Sequence, residues 1–257
     1  MKQSKNFIIS PITILIILIA LIFNRFTFIF IHYLIAFIHE LSHYMVAKIF
    51  RVKVKEIQFL PIGFYLKIDD LELEKLYKQI LVLSAGPLSY FISYLVLKIM
   101  YKYDIISIYG YEDGKISNLF ILLFNLLPIY PLDGERIIEA ILTPYLNEYK
   151  LRVFRICISI ISLVIASTFL VTLGEIVTLV FLYFVTIISI VNFNKEYLFS
   201  LIKRLNKKMN NKVRINDKKE IFRLSDNYYL KNGNLMNEEE IIKEIISSKQ
   251  IIKELKE

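Results

Sequence analysis

Long apolar stretches are the feature that most constrains this chain. There are six, each close to the roughly 20 residues that a helix needs to cross the hydrocarbon core of a bilayer. They cover residues 8–23, 26–50, 79–97, 116–132, 156–173 and 176–193. The hydrophobic fraction of the whole chain, 56%, is also higher than soluble globular proteins show. We therefore predict a helical membrane protein with six spans.

The distribution of basic residues predicts the orientation of these spans. Six spans place both termini on one side of the membrane, and 28 of the 32 Lys and Arg residues fall on that side. The positive-inside rule therefore predicts a multi-pass protein with both termini in the cytoplasm. This topology also accounts for the net charge of +8, so nucleic acid is not expected as a partner.

The second predicted span contains ionisable residues at a depth where charge is costly, which indicates a functional site. Residues 39–43 read HELSH, of the form HExxH. Because residues four apart share one face of a helix, His39 and His43 can bind one zinc ion. Glu40 lies beside them and can take a proton from zinc-bound water, whose pKa the metal lowers. The alternative is a polar cluster packed between helices.

A catalytic zinc also needs a third protein ligand. His32 lies about 10 Å from His39 along the helix axis, and Cys157 is isolated in an apolar run, which favours a carboxylate. Asp133 follows the fourth span, after prolines that end the helix, and the predicted topology places it in the same half of the membrane as His39. Asp133 would equally suit an N-cap for the next helix, but the need for a third ligand favours the metal role.

Together the two motifs resemble those of the site-2 protease family (peptidase family M50), which are intramembrane zinc metalloproteases. The HExxH sequence matches the first family motif, and the second, NxxPxxPxDG, is matched by Asn125, Pro128, Pro131, Asp133 and Gly134. The resemblance covers about residues 1–195. The spacing of the second motif is most similar to the subgroup typified by stage IV sporulation protein FB.

The resemblance implies a role for each of these polar residues. His39, His43 and Asp133 resemble the zinc ligands, and Glu40 resembles the catalytic carboxylate. Asn125 resembles a residue near the active site that orients the substrate or stabilises the oxyanion. Two positions depart from the family pattern, which often has asparagine at the position of Tyr90 and commonly has glycine at that of Glu135.

The activity implied is that of a zinc metalloendopeptidase, in which Glu40 activates a zinc-bound water to cleave a membrane-associated protein near the cytoplasmic face. In the sporulation subgroup this regulated intramembrane proteolysis acts on a sigma-factor precursor, and an anti-sigma factor or a signal-peptide remnant is a related alternative. Expected partners are the membrane-tethered protein substrate, the lipid bilayer and a membrane-protein inhibitor or regulator. A zinc-binding membrane transporter and a non-catalytic membrane scaffold are the alternatives from other classes.

Two segments are expected to lie outside the spans. Residues 52–68 alternate and then bend at Pro61 and Gly63, which predicts a β-hairpin between spans two and three. Its strand edge would hold an unwound substrate segment, or the hairpin would simply lie at the membrane surface. Residues 194–257 are polar and predict a basic linker on anionic lipid, then a small cytoplasmic α/β module with strands over 219–224 and 227–230.

The expected fold class is thus a membrane all-α domain of six transmembrane helices with a short β-hairpin insertion, followed by a small cytoplasmic α/β tail. The domain boundary is expected at the end of the last span. Residues 1–193 would form the six-span metalloprotease domain, and residues 194–257 the linker and the module.

Overall fold

The computed structural model describes residues 7–9, 22, 26–60, 63–68, 70–172, 176–205, 213–216, 220–231 and 234–248. Helices dominate the described part of the chain. In chain order the elements are β1 (Phe7–Ile9), α1 (Phe26–Ile49), β2 (Val54–Leu60), β3 (Gly63–Ile68), a 3-10 turn (Leu71–Leu73), α2 (Leu76–Leu88), α3 (Tyr90–Lys102), α4 (Ile108–Asn125), α5 (Asp133–Leu142), α6 (Glu148–Thr172), α7 (Ile176–Val191), α8 (Phe193–Leu205), β4 (Val213–Asn216), β5 (Asp226–Lys231), β6 (Asn234–Asn237) and α9 (Glu238–Ser248).

Several helices among the described residues are long and apolar enough to cross a membrane. Three qualify alone, and α7 with α8 makes a fourth if the two helices, which meet at a bend of 63°, form one broken span. The three are Thr27–Ile49, Leu76–Lys102 and Glu148–Thr172. The prediction of helices long and apolar enough to span a membrane is therefore confirmed. The second, third and fifth predicted spans are each represented by one helical segment, and the sixth corresponds to α7.

The first and fourth predicted spans have different outcomes. Most of residues 8–23 lie outside the described residues, and Ile8 and Ile9 belong to strand β1. The fourth predicted span corresponds to α4, which begins eight residues earlier than expected and carries Glu112, Asp113 and Lys115 in its first half. These charges explain why α4 is not among the apolar spanning helices, and a count of six spans stays a prediction.

The helical segment formed by α2 and α3 is interrupted at Ser89. Pro87 lies inside the last turn of α2 and has no N–H to donate to the preceding turn. The hydroxyl of Ser89 donates to the carbonyl of Gly86 at 2.6 Å, and both residues are buried. This local irregularity places Gly86 where α2 packs against α1.

A three-stranded sheet in the order β1–β2–β3 accompanies α1. Strands β2 and β3 pair antiparallel, from Leu60 opposite Gly63 to Val54 opposite Ile68, in the segment where the sequence predicts a hairpin. Strand β1 pairs in parallel with β2 and was not expected from the sequence. In this sheet β3 is an edge strand, and it packs against α1.

The chain divides into two compact units, Met1–Leu127 with Leu132–Ile137 and Pro128–Pro131 with Ile138–Glu257. A core in the first unit contains Ile31, Ile35, Leu97 and Ile106. A core in the second unit joins Tyr197 and Leu201 of α8 to the C-terminal residues Ile221, Tyr229, Ile241 and Ile242. Helix α8 therefore packs with the C-terminal module, and the boundary between residues 193 and 194 stays a prediction.

The second unit contains a second sheet, in the order β4–β5–β6, with β4 parallel and β6 antiparallel to β5. The predicted strand over residues 219–224 is wrong, because residues 220–225 form an irregular segment. The reason is that this segment has other partners: the carbonyl of Ile221 accepts the backbone N–H of Glu148, and the side chain of Arg223 is buried in ion pairs.

Candidate metal centre

Helix α1 presents two histidines to one buried point. His39 and His43 lie four residues apart on the helix, and each is 5% exposed. Their Nε2 atoms are 3.3 Å apart. Two imidazole nitrogens that face each other at this distance, in a position shielded from solvent, have the arrangement of paired metal ligands.

A carboxylate from the start of α5 completes the cluster. Asp133 is 8% exposed, and its Oδ2 atom lies 3.0 Å from the Nε2 atoms of both His39 and His43. The glycine that follows makes this approach possible, because a Cβ atom on Gly134 would lie 2.1 Å from the backbone oxygen of Leu126. Gly134 therefore lets the start of α5 pack directly against the backbone that follows α4.

The three ligand atoms match the requirements of zinc. They are two imidazole nitrogens and one carboxylate oxygen, and all lie within 4.8 Å of one another. Ligand atoms about 2.0–2.1 Å from a tetrahedral zinc are separated by about 3.3 Å. The observed separations of 3.0, 3.0 and 3.3 Å fit this triangle closely. His39, His43 and Asp133 thus fit a zinc ion with one coordination position left open.

Helix α2 orients one ligand and leaves room for the metal. The Nδ1 atom of His43 donates to the carbonyl of Val82 at 2.7 Å, which directs the lone pair of Nε2 toward the other ligands. A Cβ atom on Gly86 would lie 2.1 Å from Nε2 of His43 and 2.6 Å from Nε2 of His39. Only glycine can occupy this position without entering the cavity between the ligands.

Glu40 and Asn125 are the two residues with expected catalytic roles. Glu40 follows His39 on α1, is partly exposed, and lies within the electrostatic field of His43, His39, Asp133 and Arg136. Asn125 is the last residue of α4, and its amide donates to the carbonyl of Ile121 at 2.9 Å. That bond is to its own helix, so a role for Asn125 toward substrate stays a prediction.

Two further residues considered from the sequence lie outside the cluster. His32 is partly exposed, and its ring contacts that of Tyr33 edge to face, with the centroids 6.2 Å apart. Cys157 is exposed on α6. Neither belongs to the group of potential metal ligands found among the described residues.

The sequence reasoning missed the contributions of Val82, Gly86 and Gly134. The comparison with the family pattern had instead singled out Tyr90. The backbone of Tyr90 has a structural partner, since its carbonyl accepts the amide of buried Asn118 at 3.0 Å. A glycine inside an apolar span is a signal of close helix packing, and it could have directed attention to Gly86.

Parts of this chain are similar to known proteins. Residues 27–108, which include the HExxH sequence and Gly86, match the family model described as peptidase family M50. A zinc metalloprotease of Methanocaldococcus jannaschii is 36% identical over 154 residues, which cover 56% of this chain and 44% of that protein. Stage IV sporulation protein FB of Bacillus subtilis is 31% identical over 117 residues, which cover 46% of this chain and 41% of that protein.

The fold is similar to that of a site-2 protease from Methanocaldococcus jannaschii whose structure has been solved. The TM-score is 0.53 at 28% sequence identity, and the match covers 68% of this chain and 84% of that chain. The chain spans less than half the length of the two curated relatives. The resemblance to the site-2 protease family is confirmed, and this class of membrane metalloprotease uses zinc, for which the donor set is suited.

Proposed function

We propose that this protein is an intramembrane zinc metalloprotease that hydrolyses a peptide bond of a membrane-associated protein near the cytoplasmic face. The observation that carries the proposal is the buried cluster of His39, His43 and Asp133 beside Glu40, on an apolar helix long enough to span a bilayer. Similarity to zinc metalloproteases and to a site-2 protease fold supports the same reaction class.

The roles of the chain's own residues follow from their positions. His39, His43 and Asp133 would hold the metal, which supplies a Lewis acid and lowers the pKa of a coordinated water. Glu40 takes a proton from the attacking water and returns it to the leaving amine. Asn125, at the end of α4, would orient the substrate or stabilise the oxyanion. The carbonyl of Val82, which accepts from Nδ1 of His43, would keep that ring oriented toward the metal.

The arrangement of the strands supports a way of presenting the substrate. A peptide bond inside a helix is shielded, so a membrane-spanning substrate must be locally unwound before water can attack it. Strand β3 lies at the edge of its sheet and packs against the helix that carries the histidines. An unwound segment could add to this edge through its backbone groups.

Two reporters with opposite helix propensity at one site test this presentation. The first carries Gly–Pro near the cytoplasmic end of a single membrane span, and the second carries Ala–Leu at the same positions. Because proline destabilises a helix by about 3 kcal/mol relative to alanine, we expect cleavage of the first reporter to be faster by at least about tenfold. Equal rates, measured in liposomes by gel analysis of the products, would argue against capture of an unwound segment.

The membrane topology and the biological setting belong to the same proposal. We place six spans in the membrane with both termini in the cytoplasm, and we assign residues 1–193 to the protease domain and residues 194–257 to the linker and module. Similarity to stage IV sporulation protein FB supports a role in sporulation. The substrate we propose for that role is a sigma-factor precursor. A membrane-protein inhibitor or regulator would control such an enzyme.

Removal of the metal tests the proposed reaction directly. A zinc chelator is expected to abolish cleavage of the Gly–Pro reporter in liposomes, because the open coordination position and the activated water both depend on the ion. Stoichiometric zinc added after dialysis should restore cleavage. A zinc-replete protein that cleaves no reporter, but moves zinc across the liposome membrane, would instead identify a transporter.

A further inference from the structure

A buried chain of ion pairs in the second compact unit begins in the C-terminal module. Arg223 donates from Nε and Nη2 to the two carboxylate oxygens of Glu148, at 2.8 and 2.9 Å. Its Nη2 atom also lies 2.8 Å from a carboxylate oxygen of Glu139. Arg223 and Glu148 are each 4% exposed, and the backbone N–H of Glu148 donates to the carbonyl of Ile221 at 2.7 Å. The module is thereby fastened to the first residue of α6.

The ion pairs continue along α6. Glu148 accepts a second donor, Nε of Arg152, at 3.0 Å, and Nη1 of Arg152 reaches Glu196 on α8 at 3.3 Å. Arg155, one turn further along α6, donates to the same carboxylate of Glu196. Arg152 and Arg155 are both buried, so each guanidinium depends on these carboxylates to offset its loss of solvation.

Arg155 and Ser159, the last residues in this series of contacts, hold the loop that precedes Asp133. The guanidinium of Arg155 lies 4.2 Å from the ring centroid of Tyr130, a cation–π contact. One turn along α6, the hydroxyl oxygen of Ser159 accepts the backbone N–H of Tyr130 at 3.0 Å, and Ser159 is 2% exposed. Tyr130 is three residues before Asp133 in the chain, so the path of its backbone limits where that carboxylate can lie.

We propose that Arg155 and Ser159 are positioning residues for the Asp133 loop, and that Arg223 of the C-terminal module sets their geometry through Glu148, Arg152 and Glu196. The module would then influence how well the metal site is formed. The inference rests on the proposed function because it gives Asp133 the role of a metal ligand. Buried polar networks of this kind respond as a unit when one member is removed.

Zinc affinity of the full-length protein in detergent, measured by chelator competition, tests this inference. We expect Ser159→Ala and Arg223→Met each to weaken zinc binding about tenfold, the effect typical of groups that orient a ligand. Asp133→Ala sets the scale of full loss. Lys150→Ala is the matched control, because Lys150 joins α6 to Glu220 by an exposed ion pair at 3.3 Å and should leave zinc affinity unchanged.

A double variant distinguishes a shared path from two separate defects. Independent effects multiply, whereas residues that act through one loop produce less than the product of their single effects. We therefore expect Ser159→Ala with Arg223→Met to weaken zinc binding by little more than either change alone. Multiplied effects, or a folded Arg223→Met protein with the zinc affinity of the wild type, would overturn the proposal.

A second variant at Arg223 and a readout of metal binding keep the test decisive. If Arg223→Met prevents folding of the module, Arg223→Lys replaces it, because lysine keeps the charge but loses the two-pronged contact with Glu148. Wild-type zinc affinity in a folded Arg223→Lys protein and in Ser159→Ala would then sink the proposal. The readout is metal binding, so these outcomes do not depend on whether the wild type cleaves any reporter, and failure of the proposed function is seen separately.

Discussion

Glu40→Gln should stop proteolysis while the protein keeps its fold and its zinc. Glutamine has the shape of glutamate but cannot accept a proton, and a positioned general base contributes about 10²–10⁴ in rate. The ligand atoms of His39, His43 and Asp133 already contact one another without Glu40. Two measurements test this prediction: the zinc content per chain by mass spectrometry, and the rate of reporter cleavage in liposomes.

A matched glutamate on another helix controls for loss of a negative charge. Glu112 forms an exposed ion pair with Lys115 at 2.8 Å on α4, so Glu112→Gln should retain both zinc and activity. Continued cleavage by Glu40→Gln would overturn the assigned mechanism, and loss of zinc would show that Glu40 is a ligand rather than a base. Membrane proteins that accumulate uncleaved in cells with the Glu40→Gln variant are the candidate substrates.

Gly86→Ala should abolish zinc binding, although Gly86 is not itself a ligand. The added methyl group would lie 2.1 and 2.6 Å from the two ligand nitrogens, well inside van der Waals contact. Either the imidazoles of His39 and His43 rotate away or α1 and α2 separate, and each outcome breaks the set of ligands. We expect zinc affinity to fall by at least about 100-fold, the upper end of effects from groups that support metal ligands. Chelator competition on the purified protein gives this affinity.

Gly110→Ala is the corresponding control, since the chain offers a second helical glycine that faces α1 with more space. A Cβ atom on Gly110 would have its nearest contact at 3.4 Å, with the end of the Ile31 side chain. Both substitutions raise helix propensity equally, so a difference between them reports on the metal cavity alone. Wild-type zinc affinity in Gly86→Ala would contradict the packing of α2 against the metal site.

The three candidate metal ligands could be predicted from the sequence because each depends on a local rule. A spacing of four residues places His39 and His43 on one face of a helix. The scarcity of histidine and the lone cysteine then left a carboxylate, and the break at Pro128 and Pro131 identified Asp133. In the structure these three side chains do come together.

Other parts of the site depend on contacts between distant segments, which a single sequence does not encode locally. Val82 and Gly86 contribute to the site only because α2 packs against α1 at these two positions. The strand predicted over residues 219–224 does not form for a similar reason. Arg223 and Ile221 instead make hydrogen bonds with Glu148 at the start of α6. Helix α4 likewise begins eight residues before the predicted span, and so includes the charged residues Glu112, Asp113 and Lys115.

The pairing of strand β1 with β2 places helix α1 between two neighbouring parallel strands in the chain. Parallel neighbouring strands need a crossover connection, and the connection from Ile9 to Val54 contains α1. The histidines therefore sit on the crossover of a strand–helix–strand unit, with only four residues between the end of α1 and β2. Because β3 also packs against α1, the position of the strand edge relative to the two histidines is set within this unit.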